Sequence, residues 1–146
     1  MCGQEHSTQP LDQSLLALVA QAAEARKRAY SPYSAFQVGA ALLTADGRAF
    51  AGGNVENASY GLTMCAERVA IFTAVAAGAK RVSALAVSAE PAAWPCGACR
   101  QVLAEFAGPD CLVIVAEGPR VVARVMLGDL LPHAFSPVFR PPTQSG

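Results

Sequence analysis

Two short segments carry the side chains best suited to chemistry: Cys65-Ala66-Glu67 and, further along, Pro95-Cys96-Gly97-Ala98-Cys99. Cys65, Cys96 and Cys99 can supply three thiolates to one zinc ion. A tetrahedral zinc with three protein ligands keeps its fourth position for water, as catalytic rather than closed structural sites do. Such an ion brings the pKa of its water toward neutrality. Glu67 follows the first cysteine by two positions, so its carboxylate can stand beside that water without binding the metal. It can accept a proton there and return it to a substrate. Water activation coupled to proton transfer is what hydrolytic deamination needs. Taken singly, the motifs read otherwise. Cys96 and Cys99 alone fit a redox pair or half of a structural zinc site, and Cys65 alone fits a core thiol with Glu67 solvated. Together, with three ligands and an offset glutamate, they favour one catalytic Zn2+ per chain.

These residues must be positioned by secondary structure, and the sequence shows how. Leu11 to Tyr30 has a helical pattern, with Leu15, Leu18, Val19 and Ala22 on one side, stopped by Ser31-Pro32. Phe36 to Leu43 reads as a strand, Asp46-Gly47 as a hairpin turn, and Arg48 to Gly52 as the returning strand. After a polar loop, a helix is expected from Thr63 to Ala77, ended by Gly78. Val82 to Ser88 is a buried strand, and a second helix runs from Cys96 to Phe106. Each candidate ligand thus lies near a helix N-terminus, where the dipole and free N–H groups favour thiolate. Cys111 to Ala116 and Val121 to Met126 are strands, and the short connector between them makes the pair antiparallel. The expected fold class is α/β, with a mixed sheet and helices packed on its faces.

Composition narrows the function classes. The chain has 146 residues, 53% of them hydrophobic and 15% charged, with zero formal net charge. A single domain over 1–146 is expected, with flexible tails at 1–10 and 141–146. No basic stripe exists to bind DNA or RNA by counterion release, which argues against a polynucleotide-editing enzyme and for a small substrate. The start lacks the plan of a signal peptide, and no apolar run is long enough to span a membrane. A cytoplasmic location follows, in which the five cysteines are ligands, catalytic groups or core thiols rather than a disulfide framework. Cys2 and Cys111 lack ligand spacing. The low charged fraction suggests that some apolar surface is hidden between subunits.

The chain resembles the homotetrameric cytidine deaminases over nearly its whole length. The matching stretches are Ser31-Pro-Tyr-Ser-Ala-Phe-Gln-Val-Gly-Ala-Ala-Leu42, Gly53-Asn-Val-Glu-Asn-Ala-Ser-Tyr-Gly61, Cys65-Ala-Glu-Arg68, Pro95-Cys-Gly-Ala-Cys-Arg-Gln101 and Leu130-Leu-Pro-His-Ala-Phe-Ser-Pro137. The resemblance implies a three-layer α/β/α fold with a five-stranded sheet. It implies hydrolysis of cytidine and deoxycytidine to uridine and deoxyuridine with release of ammonia, in pyrimidine salvage. It also implies roles. Phe36 would pack on the pyrimidine, and Asn54 and Glu56 would bond the ribose hydroxyls. The Ala66 backbone and the Glu67 carboxylate would address the base. Arg68 would hydrogen-bond the zinc thiolates and offset their charge. Phe135 would reach into a neighbouring subunit's site of a homotetramer. Gln37, His133 and the loop carrying Trp94 depart from the family pattern. The nearest alternative is a deaminase of another cytosine nucleoside, such as blasticidin S; a non-catalytic zinc or redox module is the other.

Overall fold

The computed structural model describes residues 11–136; the expected tails at 1–10 and 141–146 lie outside that range. The first helix, α1 (Gln13–Arg26), opens on Asp12, whose carboxylate accepts from the Leu15 amide at 3.0 Å. Then come the hairpin β1 (Val38–Thr44) and β2 (Ala49–Gly53), a 3-10 turn at Tyr60–Leu62, and α2 (Ala66–Ala76). β3 (Val82–Ala89), α3 (Gly97–Phe106), β4 (Leu112–Glu117), β5 (Arg120–Met126) and the short α4 (Leu127–Leu130) complete the order.

The strands form one sheet in the order β2-β1-β3-β4-β5. β3 and β4 are parallel, and α3 is the crossover between them. The other neighbours are antiparallel, including β4 and β5 as expected. Alternation along the strands divides the core in two. Ala40, Leu42, Leu85, Val87 and Val113 face Ala70, Ile71 and Ala74 of α2 and Leu103 of α3. Ala41, Ala84, Ala86, Ile114 and Ala116 face Leu18, Val19 and Ala22 of α1. The three layers are therefore α1, the sheet, and α2 with α3.

The register also determines where chemistry can collect. Val38 at the start of β1 pairs with Ala89 at the end of β3, and Gly39 pairs with Gly53 at the end of β2. The segment entering β1, the segment leaving β2 and the loop from β3 to α3 therefore share one edge of the sheet. It is the carboxyl edge of the parallel pair, where open α/β sheets bind ligands.

Three element boundaries shift for a tertiary reason, and the others lie within two residues of the sequence expectation. α1 stops at Arg26 rather than Tyr30, because Tyr30 leaves the helix to pair with Val55. Its amide donates to the Asn54 carbonyl at 2.9 Å, and its carbonyl accepts from the Glu56 amide at 2.8 Å. β1 starts at Val38 rather than Phe36, since the Asn54 side chain takes the Phe36 carbonyl and the Val38 amide. α2 starts at Ala66 rather than Thr63, because Met64 exchanges two 2.9 Å backbone bonds with Val55. Gly78, at φ +89°, stands just past the end of α2 as expected. The 3-10 turn and α4 were not expected.

The alanine-rich face of the sheet lets α1 approach closely, and Gly39 marks the contact. A Cβ there would lie 2.0 Å from the Ala22 carbonyl oxygen and 2.4 Å from the Arg26 amide nitrogen. Both obstacles are backbone and cannot rotate away. Gly39→Ala is expected to cost at least about 3 kcal/mol in urea unfolding. Gly61→Ala, whose Cβ would meet nothing within 4 Å, should stay within about 0.5 kcal/mol of wild type.

Candidate active site

Cys65 caps the N-terminus of α2, and Cys96 caps that of α3. Both have extended backbone angles, so their side chains stand at the helix mouths rather than along the helix walls. Cys99 lies in the first turn of α3 and is buried. The Cys65 and Cys96 sulfurs are 3.9 Å apart and the Cys96 and Cys99 sulfurs 3.5 Å. All three lie within 4.8 Å of one another. Tetrahedral zinc with bonds of about 2.3 Å would hold its sulfurs about 3.8 Å apart. The donor set thus fits one Zn2+ in both chemistry and spacing. All four cysteines of the described residues are free thiols.

The electrostatics suit thiolate. Arg68 donates from Nη2 to the Cys65 sulfur at 3.4 Å. Its Nε is buried with no partner among the described residues. A hydrogen bond from Cys99, joined by Arg68 and Cys96, pulls the Cys65 pKa down to about 5. Cys99 is pushed up, first because it gives that hydrogen bond and then by burial. One proton is therefore retained between this pair until a metal displaces it. Contact with the thiolates raises the Arg68 pKa, so its positive charge is secure.

Glu67 is second in α2 and 4% exposed. Burial raises its pKa, with the Cys65 charge adding to the shift. A carboxyl held nearer neutrality than usual can both accept and return a proton.

A second group of residues lies on the same edge of the sheet. The segment from Asn54 to Glu56 is extended, because Val55 is bridged to Tyr30 on one side and Met64 on the other. Asn54 and Glu56 therefore project the same way. Asn54 is buried; its Oδ1 accepts from the Val38 amide and its Nδ2 donates to the Phe36 carbonyl, both at 2.9 Å. Half-buried Glu56 accepts at Oε1 from the Tyr33 and Ser34 amides at 2.9 and 3.1 Å. Its Oε2 accepts from the Ser34 hydroxyl. That hydroxyl bond is the main cause that holds the Glu56 pKa below its ordinary value. Tyr33 and Tyr60 meet edge to face, 5.8 Å between centroids. With Ser34, Glu56 and Thr63 they line a groove of about 360 Å³.

Cys65, Glu67, Arg68, Cys96 and Cys99 are thus brought together at the two helix mouths. Phe36, Asn54 and Glu56 form a connected set at the sheet edge. Phe135 is elsewhere: it is 80% exposed and lines a groove of about 460 Å³ with Ala104, Ala107 and Leu127. Its carbonyl accepts from Gln101 Nε2 at 3.2 Å. Sequence reasoning missed Ser34 and Arg100. Arg100 donates to the Pro95 carbonyl at 2.8 Å and to the Leu130 carbonyl at 2.9 Å, tying the loop before Cys96 to α4. Its place beside a Cys-x-x-Cys pair was the available signal.

Residues 12–116, which include all three clustered cysteines, match the family model described as the cytidine and deoxycytidylate deaminase zinc-binding region. The chain belongs to this deaminase family. Among its relatives, a cytidine deaminase of Halalkalibacterium halodurans is 49% identical over 121 residues, 82% of this chain and 92% of that protein. The crystal structure of a cytidine deaminase from Burkholderia pseudomallei superposes with a TM-score of 0.77 at 48% identity. That match covers 86% of this chain and all of the other. A blasticidin-S deaminase of Bacillus cereus is more distant, 29% identical over 109 residues. The family is zinc-binding, and the sulfur cluster is where this chain can hold the ion.

The cysteines should differ in reactivity. Burial pushes the Cys111 thiol up to about 12, against about 5 for Cys65. A thiolate fraction rises only as pH passes the pKa, so at pH 7 Cys65 is mostly ionised and Cys111 is not. In chelator-treated native protein at pH 7, iodoacetamide should label Cys65 first, and Cys111 only after denaturation. Zinc loading should protect Cys65. Peptide mass spectrometry reads all three outcomes.

Proposed function

We propose that this protein deaminates cytidine and deoxycytidine hydrolytically, giving uridine or deoxyuridine and ammonia, as a cytosolic enzyme of pyrimidine salvage. The observation that carries this reading is the buried Glu67 carboxyl within two residues of a three-sulfur cluster sized for zinc. Zinc held by Cys65, Cys96 and Cys99 would supply an electrophilic centre that makes water nucleophilic near neutral pH. Glu67 moves the protons. Its carboxylate accepts one from the attacking water and passes it to N3 of the cytosine, which makes C4 more electrophilic. As the added oxygen becomes the C4 carbonyl, Glu67 takes its remaining proton and delivers it to the amine, which departs as ammonia. Arg68 holds Cys65 and offsets the thiolate charge.

Substrate recognition follows from the sheet edge. Phe36 packs on the pyrimidine. The Ala66 N–H, at the head of α2 where no intrahelical carbonyl can reach it, addresses the base. Asn54 has a second Nδ2 proton, and Glu56 has acceptor capacity, for the sugar hydroxyls. Among the described residues, no lysine, arginine or histidine lines the groove beside anionic Glu56. That favours an uncharged nucleoside over a nucleotide such as deoxycytidylate. The apolar composition, exposed Phe72 and Val75 on α2, and exposed Phe135 support a homotetramer in which Phe135 completes a neighbouring subunit's site. The free thiols fit a reducing cytosol. No helix of the described residues is long and apolar enough to cross a membrane.

Incubating zinc-loaded protein with cytidine should yield uridine and ammonia in equal amounts, and a chelator should stop it. Absence of both products would overturn the reading. Glu67→Gln should keep its zinc, by metal analysis, and lose at least about a thousandfold in kcat. Glu56→Ala should raise KM for cytidine about tenfold or more, the cost of a lost charged hydrogen bond to a sugar hydroxyl.

A further inference from the structure

Ser34 stands at a junction that the turn itself does not require. The chain from Tyr33 to Phe36 turns tightly, with Ala35 at φ +60°. Within that turn the Phe36 amide donates to Ser34 Oγ at 3.0 Å, an ordinary local bond from a residue two positions on. The same hydroxyl gives its proton to Glu56 Oε2, 22 residues away in the chain. A hydroxyl has one proton and can accept as well. The direction is therefore fixed: Phe36 N–H to Ser34, and Ser34 O–H to Glu56.

Acceptor counting on Glu56 gives this junction a use. An ionised carboxylate offers about four acceptor sites, two on each oxygen. Oε1 is filled by the Tyr33 and Ser34 amides. Oε2 is half filled by the Ser34 hydroxyl. One site is left, on an oxygen whose orientation the hydroxyl sets, in a groove that Ser34 and Glu56 both line. One site suits one donor, such as a single sugar hydroxyl.

We propose that Ser34 is the positioning residue for sugar specificity: its hydroxyl orients Glu56 so that the last free acceptor site receives a nucleoside hydroxyl, and joins it to the backbone of Phe36. This rests on the nucleoside reading of Glu56 given above. Without the hydroxyl, the Glu56 carboxylate keeps its two amide bonds but can rotate Oε2 away from the sugar. Proton movement by Glu67 remains as it was, and Phe36 stays tied to Asn54 through its carbonyl, so contact with the base persists. A serine that only shaped the turn would affect every substrate alike.

The test compares wild type, Ser34→Ala, Ser34→Thr, Glu56→Ala and the Ser34→Ala/Glu56→Ala double variant. Cytidine serves as substrate and 2′,3′-dideoxycytidine, which lacks the 2′ and 3′ hydroxyls but keeps the 5′ one, as competitor. Ser34→Ala should raise KM for cytidine about fivefold or more with kcat held within about twofold, and should shift the competitor's Ki by less than about twofold. Ser34→Thr, which keeps the hydroxyl, should restore the cytidine KM. In the Glu56→Ala background, Ser34→Ala should add little, because the two act through one contact. Equal loss on both ligands, a fall in kcat alone, or full additivity in the double variant would overturn the role of Ser34 while leaving the deaminase reading intact. Glu56→Ala with an unchanged cytidine KM would refute both the sugar contact and this proposal. A wild-type protein that turns over no cytidine would refute the functional reading, and this proposal with it.

Discussion

Three sulfurs capable of bearing charge are held within 4.8 Å of one another, and much of the architecture answers that constraint. Thiolates so close repel unless positive charge compensates them. The fold compensates in several ways. Two helices begin at the cluster, so their N–H groups and dipoles point toward it. Arg68 extends along the first turn of α2 to Cys65. The cation that the family binds completes the balance. Neither helix could contribute without the sheet. β3 leads into α3 and lies beside β1, and α2 packs over the same face.

The sheet edge proposed for recognition follows a different logic. The sulfur cluster depends on helix ends, but Phe36, Asn54 and Glu56 are organised by hydrogen bonds between segments distant in sequence. Asn54 ties the start of β1 to the end of β2, and Glu56 caps the turn before β1. Their side chains thus help build the backbone that they present. Substitution at either position will disturb loop shape as well as contact, so a change in KM must be read together with a substrate that lacks the contact.

What was legible in the sequence divides along the same line. Cys65, Cys96 and Cys99 could be read because their spacing and the offset Glu67 are local features of the sequence, even though the start of α2 was expected three residues early. The antiparallel β4–β5 pair could be read because Gly118-Pro119 leaves no room for a crossover. The order of elements was enough to anticipate helices packed on the faces of a mixed sheet. The pairing of β1 with β3 was not legible, since no local signal specifies a partner so far along the chain. Three shifted boundaries share one kind of cause: Tyr30 and Met64 leave the expected helices to flank Val55, and the Asn54 side chain holds Phe36 out of the expected strand. Ser34 and Arg100 were missed because each acts through one long-range hydrogen-bond partner, and a serine or arginine in isolation does not reveal that partner.

Val55 has a consequence larger than its small, exposed side chain suggests. Through its backbone it forms the middle thread of a miniature three-ply ribbon, Tyr30–Val55–Met64, lying off the main sheet. One ply runs into the turn bearing Ser34 and Phe36, the centre carries Glu56, and the last runs straight into Cys65. The segments proposed to hold the sugar and the base are therefore joined through backbone hydrogen bonds. Those bonds across the ribbon set the spacing between the turn at Ser34 and the mouth of α2.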